Sequence, residues 1–439
     1  MSIIKVFYCI ILVQIIFVSY NLANTSKLNY PELRTEDFIY NNTIKSVNLF
    51  TVANPPDIGI LEMNKPPQND IAQESPFYLE FDEIGSQPEN YYVKILNCNA
   101  DWTVSNMNDI QYLEKYNEYP ILDRQLSFNT RVGFVHYKIL LPKVLVSGNF
   151  LIVVYKNGTP DDIVLTKRFI IFENKLSIKM MPQFPLNMTD RNTGQQIDFN
   201  IIYGQYELIN PMANVRVVLR QNFRWDNAIY NLKPSFIDEN SRILQYQFFN
   251  RENVFDGSNE FRYFDIRSNR FGGQNVAKVS FDSDKTEVYL AEDFSRNQKP
   301  YSFYLDFMDG RYVINNYESG DRELVPDYVN VTFILNTPIL NNEDVYVIGS
   351  FNNWSANNSS RMSYEPSINK YICKILLKQG QYNYRYATVS KNSKIKNEAS
   401  IEGSHSITQN KYDVLVYFRP FGAISDRLIG YSSINYNGR

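Results

Sequence analysis

The sequence predicts an all-β protein made of three consecutive β-sandwich domains, with one short helix in the first. Three observations carry that prediction. Aromatic residues make up 15% of the chain, with 33 Tyr and 29 Phe, and such side chains pack well on a half-buried pleated surface. Short alternating or continuously apolar runs recur along the chain at the spacing of sandwich strands. No apolar pattern of helical period extends beyond about three turns. With 439 residues, 44% of them hydrophobic, the chain has material for several cores, and its length alone favours two to four domains.

The N-terminus reads as an export signal. Lys5 precedes Val6 to Tyr20, a run that is apolar except at Cys9, Gln14 and Ser19. It is short for a membrane-spanning helix and suits a signal-peptide core, with cleavage expected after Ala23. The alternative is an uncleaved N-terminal anchor. No later run is long and apolar enough to span a membrane, so the mature protein is expected to be soluble and exported. It keeps two cysteines, Cys98 and Cys373, too few for a disulfide framework. Both read as small buried hydrophobes, with a bridge between them as the alternative.

The first domain is expected over residues 24–173. Phe77–Phe81 and Tyr91–Leu96 alternate, whereas Phe150–Tyr155 is continuously apolar, as a strand covered on both faces would be. Asn157-Gly158 supplies a turn signal, and Lys167–Phe172 reads as the hairpin partner. Between strands lies an irregular excursion, residues 101–130, in which Ile110, Leu113 and Tyr116 fit one face of a short helix near 107–116. Long ordered excursions are more often functional than decorative. The second domain is expected over residues 174–325. Pro182 and Pro185 mark its linker. Its strands are Asp198–Tyr203, Val215–Leu219, Leu244–Phe248, Lys278–Phe281 and Tyr301–Leu305, and Asp309-Gly310 turns into Arg311–Ile314. The third domain, residues 326–439, opens at Tyr328–Leu335, where Val329, Val331, Phe333 and Leu335 share a face. It closes at Val414–Phe418, followed by a non-periodic tail.

Charge and motif content exclude several function classes. The 44 basic and 47 acidic residues are interspersed, for a net charge of -3, which offers no footprint for nucleic acid. The chain has two histidines, His136 and His405. His136 lies in an alternating strand and reads as a hydrogen-bonded sheet residue, and His405 lies in a loop. No Cys-x-x-Cys, His-Glu-x-x-His or calcium-loop pattern is present, so no metal site is expected. Gly272-Gly273 lacks the rest of a phosphate-binding loop. A cryptic carboxylate pair in a cleft would be needed for a hydrolase, and nothing singles one out. No catalytic residue and no cofactor are therefore expected.

Binding remains. The three tryptophans, Trp102, Trp225 and Trp354, fall one in each expected domain. Gln221–Asn227 mixes Arg, Trp and amides after a strong strand and reads as an exposed contact loop, with a structural corner as the alternative. Trp102, Asn222, Arg224 and Trp225 are the candidate partner contacts. Gly349-Ser350-Phe351-Asn352-Asn353-Trp354, followed by the alternating Tyr382-Asn383-Tyr384 segment, resembles immunoglobulin-like or early-set sandwich modules that bind glycogen-like glucans. Under that alternative the protein is a periplasmic glucan- or peptidoglycan-binding protein, and Trp354 and Tyr384 are its glycan contacts.

Several stretches agree on a different resemblance. Cys98–Trp102, Ser127–Thr130 before His136-Tyr137, Ser147–Phe150, Gln221–Asn227, Gly349–Trp354, Lys378–Tyr384 and Tyr417–Gly422, in this order, resemble the plug protein of the Bacteroidota type IX secretion translocon. The departures are Asn99 in place of an acidic residue and Phe418 in place of Tyr. The resemblance implies a periplasmic protein without catalysis or cofactor. Its partner is the outer-membrane translocon, a very large single-chain β-barrel with a wide aqueous pore, and the plug seats reversibly against the periplasmic mouth of that pore. It further implies no nucleic-acid partner, no membrane span of its own and a monomer when free. The excursion 101–130 and the Gln221–Asn227 loop are the expected docking elements. Trp354 then reads as a packing anchor of its sandwich.

Overall fold

The computed structural model describes residues 33–51, 60–63, 77–282, 284–304 and 308–438. The expected signal peptide and the first residues after it lie outside the described residues. The fold is almost all β, and its sheets are mostly antiparallel. Among the described residues helix is limited to single turns such as Pro211–Asn214 and Ala399–Glu402. Among the described residues no helix is long and apolar enough to cross a membrane.

The first sandwich follows the strand signals closely. One sheet is built on Gly148–Lys156, which is flanked by Ile163–Phe172 and Tyr91–Cys98. Two partners and two covered faces explain why this strand is apolar throughout. Asn157 and Gly158 both take positive φ, 52° and 66°, the geometry that a tight hairpin needs. The facing sheet runs Ile44–Thr51, Phe77–Ile84, Phe134–Leu140 and Asp123–Leu126. Inward residues of both sheets, among them Phe77, Phe81, Tyr91, Tyr137, Phe150 and Phe169, form one hydrophobic cluster.

The helix expected near 107–116 reduces to one 3₁₀ turn, Asp109–Gln111. Extended pairing interrupts it on the C-terminal side. Leu113 bridges Val144, the Tyr112 hydroxyl donates to the Ile95 carbonyl, and the Asn117 side chain pairs with the backbone N–H and C=O of Ile95. Tyr112 and Leu113 are buried, and Ile110 and Tyr116 face solvent.

The larger correction concerns connectivity. Val414–Phe418, expected to close the third domain, belongs to Asn410–Phe418, which pairs antiparallel with Val215–Gln221 and sets Val217 opposite Val416. The tail read as non-periodic is a ten-residue strand, Arg427–Tyr436, on the other edge of Asn410–Phe418. Both pack with Ile197, Phe199, Val217 and Leu244 in the second hydrophobic cluster. Conversely, Lys278–Phe281 and Arg311–Ile314, read as second-domain strands, fall in the observed strands Val276–Phe281 and Tyr312–Ile314, which join sheets packed around a third hydrophobic cluster with Phe264, Val331, Phe333 and Tyr382. The first pairs with Thr286–Leu290, itself parallel to Tyr328–Asn336, and the second pairs with Gly380–Ser390. Of the strand expected at Tyr301–Leu305, Tyr301 to Tyr304 form no strand and Leu305 lies outside the described residues. The Pro182 expected in a linker sits in Ser177–Gln183, an edge strand where a missing N–H is tolerated.

The three sandwiches are therefore not consecutive, because the third is inserted into the second. The strands entering and leaving the insert are joined to each other. The His405 amide donates to the Ser258 carbonyl, as does the Thr408 hydroxyl, and the Asn410 side chain donates to the Gly257 carbonyl. A Cβ on Gly257 would lie 2.1 Å from the His405 carbonyl oxygen, so the close crossing requires glycine there.

Candidate functional site

The Gln221–Asn227 loop turns back on itself through consecutive left-handed residues, Asn222 and Phe223, at φ 53° and 58°. The reversal carries its side chains inward. The Asn222 side chain donates to Asn410 and accepts from the Lys411 amide. Trp102 sits on another reversal, with φ 67° and its amide donating to the Asn99 carbonyl at 2.9 Å. Its ring meets Trp225 edge-on, with centroids 4.9 Å apart.

An arginine–aromatic column continues from that pair. Arg168 stands 4.3 Å from the Trp102 ring and 5.4 Å from the Trp225 ring, and Arg220 stacks on Trp225 at 4.2 Å. Arg220 is itself paired with Asp413, both fully buried. Arg224 lies 4.1 Å from the Trp354 ring and grips Asp226 and Glu398 with its guanidinium fork. Burial alone would raise the Glu398 carboxyl, but Arg224 outweighs it and holds that carboxyl well below the usual range. Trp102 comes from the first sandwich, Trp225 from the second and Trp354 from the insert. The Trp102–Trp225 cluster thus joins the first sandwich to the second, and the Arg224–Trp354 stack joins the second to the insert; each cation–π contact in a dry setting is worth on the order of 1–2 kcal/mol.

These placements correct the expected site. Trp102, Asn222 and Arg224 are buried and Trp225 is half-buried, so as candidate partner contacts they are already used inside the molecule. Trp354 is 8% exposed. The reason is local: the Trp354 amide donates to the Gly349 carbonyl, and positive φ at Asn353 and Trp354 tucks the indole under the strand. Tyr384 is buried too, its hydroxyl donating to Asp293. A glycan platform needs exposed coplanar aromatics, and neither candidate presents one.

Two further junctions went unread in the sequence. In the first, Asp82 accepts from the Tyr328 hydroxyl at 2.6 Å, the Lys378 ammonium at 2.7 Å and His136 Nδ1 at 2.7 Å. Burial pushes the Asp82 carboxyl up, but Lys378 and His136 outweigh that and hold it below the usual carboxylate range. In the second, buried Asp426 accepts from Arg216, Arg419 and the Ala100 amide, tying the turn at Trp102 to the second sandwich. Each is composed of residues remote in sequence, and single charged residues in strands carry no mark of it. Cys98 and Cys373 are free, and burial pushes their thiols up to about 12 and about 11, which leaves them unreactive.

The excursion also carries apolar side chains on the outside. Ile110 is 84% exposed and Phe128 71%, and Tyr116 and Leu122 are comparably bare. The Asp123–Leu126 strand beside them is the exposed edge of its sheet.

Fold and site together define a multi-sandwich β protein whose buried polar groups join its parts. Residues 44–173 match the family model described as type 9 secretion system plug protein 1st domain. The chain belongs to the type 9 secretion system plug protein family. It is also similar to a hypothetical protein from Parabacteroides merdae of known crystal structure, with 30% sequence identity and a TM-score of 0.85. That similarity covers 92% of this chain and 100% of the other. No curated protein matches the chain.

Proposed function

We propose that the protein is a non-catalytic periplasmic plug that seats reversibly against the outer-membrane β-barrel translocon of the type 9 secretion system and closes its pore. The observation that carries this reading, beyond the family, is a body stapled at every sandwich junction with an apolar excursion left bare. A stopper has to hold its shape against a wide opening. The arginine–aromatic column and the buried Asp82 and Asp426 centres support such stiffness, because opening any of them would strand a buried charge. The excursion supplies the docking face through Ile110, Tyr116, Leu122 and Phe128. An interface of ordinary size with a polar rim suits a seat that must also release, and the free chain is a monomer.

The test is affinity recovery of the tagged protein from its native envelope. The expected result is co-purification of a giant outer-membrane barrel, with recovery reduced at least tenfold by Ile110→Ser, Tyr116→Ser, Leu122→Ser and Phe128→Ser combined. Full recovery by that variant overturns the docking face, and no barrel with the parent protein overturns the role.

A further inference from the structure

We propose that Glu80, His136 and Glu323 form a binding site for a zinc-type divalent cation at the junction of the first sandwich and the insert. Their ligand atoms lie within 4.8 Å of one another. Glu80 and His136 stand on neighbouring strands, Phe77–Ile84 and Phe134–Leu140, whose register sets Asp82 opposite His136 and Glu80 opposite Lys138. Period-two alternation then puts all four on one face. Glu323 reaches that face from the segment leading into Tyr328–Asn336.

The histidine is prepared for a ligand. Its Nδ1 is engaged by Asp82, which Tyr328 and Lys378 hold in place. A carboxylate on Nδ1 keeps the proton there and leaves Nε2 as a lone-pair donor, the arrangement by which proteins orient metal-binding imidazoles. His136 is 5% exposed, and its Nε2 has no hydrogen-bond partner. A Glu80 carboxylate oxygen lies 3.8 Å from it.

Charge points the same way. Glu80 and Glu323 share the Lys138 ammonium, at 2.9 Å from each. Arg322 approaches Glu323 only to 3.7 Å, and the Asp82–Lys378 pair is already balanced. A divalent ion neutralises both glutamates. Lys138 is partly exposed on a flexible stem, with its ammonium over the Tyr78 ring, and can swing out to solvent. One imidazole and two carboxylates suit zinc better than calcium or magnesium. Zinc ligands in a tetrahedron sit roughly 3.4 Å apart, given bonds of about 2.0–2.2 Å, so from separations within 4.8 Å the side chains need to close by at most about 1.4 Å. Bound metal would tie the first sandwich to the insert.

The experiment uses the full mature chain, stripped with chelator and titrated with zinc chloride by calorimetry and thermal unfolding. The expected result is saturable binding of one equivalent with a Tm raised by several degrees. Affinity should drop at least tenfold in His136→Gln and Glu323→Gln, and should rise in Lys138→Met, where the competing ammonium is gone. Calcium and magnesium should leave Tm unchanged. No saturable binding overturns the proposal. So does equal binding by the His136→Gln and Glu323→Gln variants. So does a Lys138→Met variant that loses stability without gaining zinc affinity, which would make Lys138 the permanent counter-ion. Circular dichroism of the part-exposed Glu323→Gln variant separates lost binding from lost folding.

Discussion

Two segments of this protein look alike in composition and behave oppositely. The excursion 101–130 and the loop 221–227 are both irregular, aromatic and amide-rich. The loop is swallowed by the molecule, with Arg224 stacked on Trp354 and Asn222 pinned to Asn410. The excursion is swallowed at its first turn, where Trp102 meets Trp225, and again at Tyr112, Leu113, Asn117 and Ile121, but it leaves Ile110, Tyr116, Leu122 and Phe128 bare. Composition marks a contact segment, but it does not say whether the contact is with the protein itself or with a partner.

The largest test of that contrast is Arg224→Ala. It removes a buried guanidinium and leaves the partly buried Glu398 without its main counter-charge, and is expected to cost about 3–5 kcal/mol, read from denaturant midpoints. A loss under 1 kcal/mol would return the loop to the class of surface contacts. Trp102→Ala is expected to cost about 3–4 kcal/mol, since a fully buried indole leaves a large cavity and a broken column. The same measurement checks it, and a loss under 1 kcal/mol would remove the first turn of the excursion from the structural contacts.

Acid provides the third test. The folded-state Glu398 carboxyl is held below its ordinary value of 4.5. Its contribution to stability is therefore present above that value and is lost as pH falls through the lower, folded-state one. Unfolding free energy of the parent should fall steeply below about pH 4.5, and Arg224→Ala should show a shallower slope. Parallel slopes would remove Arg224 as the cause. Asn222→Ala removes two hydrogen bonds at a buried site and is expected to cost about 1–3 kcal/mol. Smallest in stability are Ile110→Ser and Phe128→Ser, each within about 0.5 kcal/mol, although both should weaken barrel capture. Destabilisation by either beyond 1 kcal/mol would show that the excursion is packed rather than offered.

Much of the local structure was readable in the chain. The continuously apolar Phe150–Tyr155 is central in its sheet because two neighbours and two covered faces demand it. Asn157-Gly158 and Asp309-Gly310 turn where expected, with positive φ at all four residues. The nesting of the insert was not readable. Val414 and Val416 satisfy a period of two whichever sheet they enter, and their partners Leu219 and Val217 lie far away in sequence. The tail strand failed for a related reason. From Tyr431 to Asn435 its residues are only partly buried or exposed, so no clean alternation announces it.

The sequence by itself determined what is local: the β class, the strands with strong alternation, the turns that need left-handed residues, and the ordered motifs that place the chain among the plug proteins. The tertiary structure alone decided which strands share a sheet, that one sandwich is threaded into another, and that Trp102 and Trp225 meet beside Arg168 and Arg220 while Trp354 stacks with Arg224. The physical reason is range. Backbone conformation answers to neighbours a few residues away, whereas burial, ion pairing and the orientation of His136 depend on side chains brought together from hundreds of residues apart.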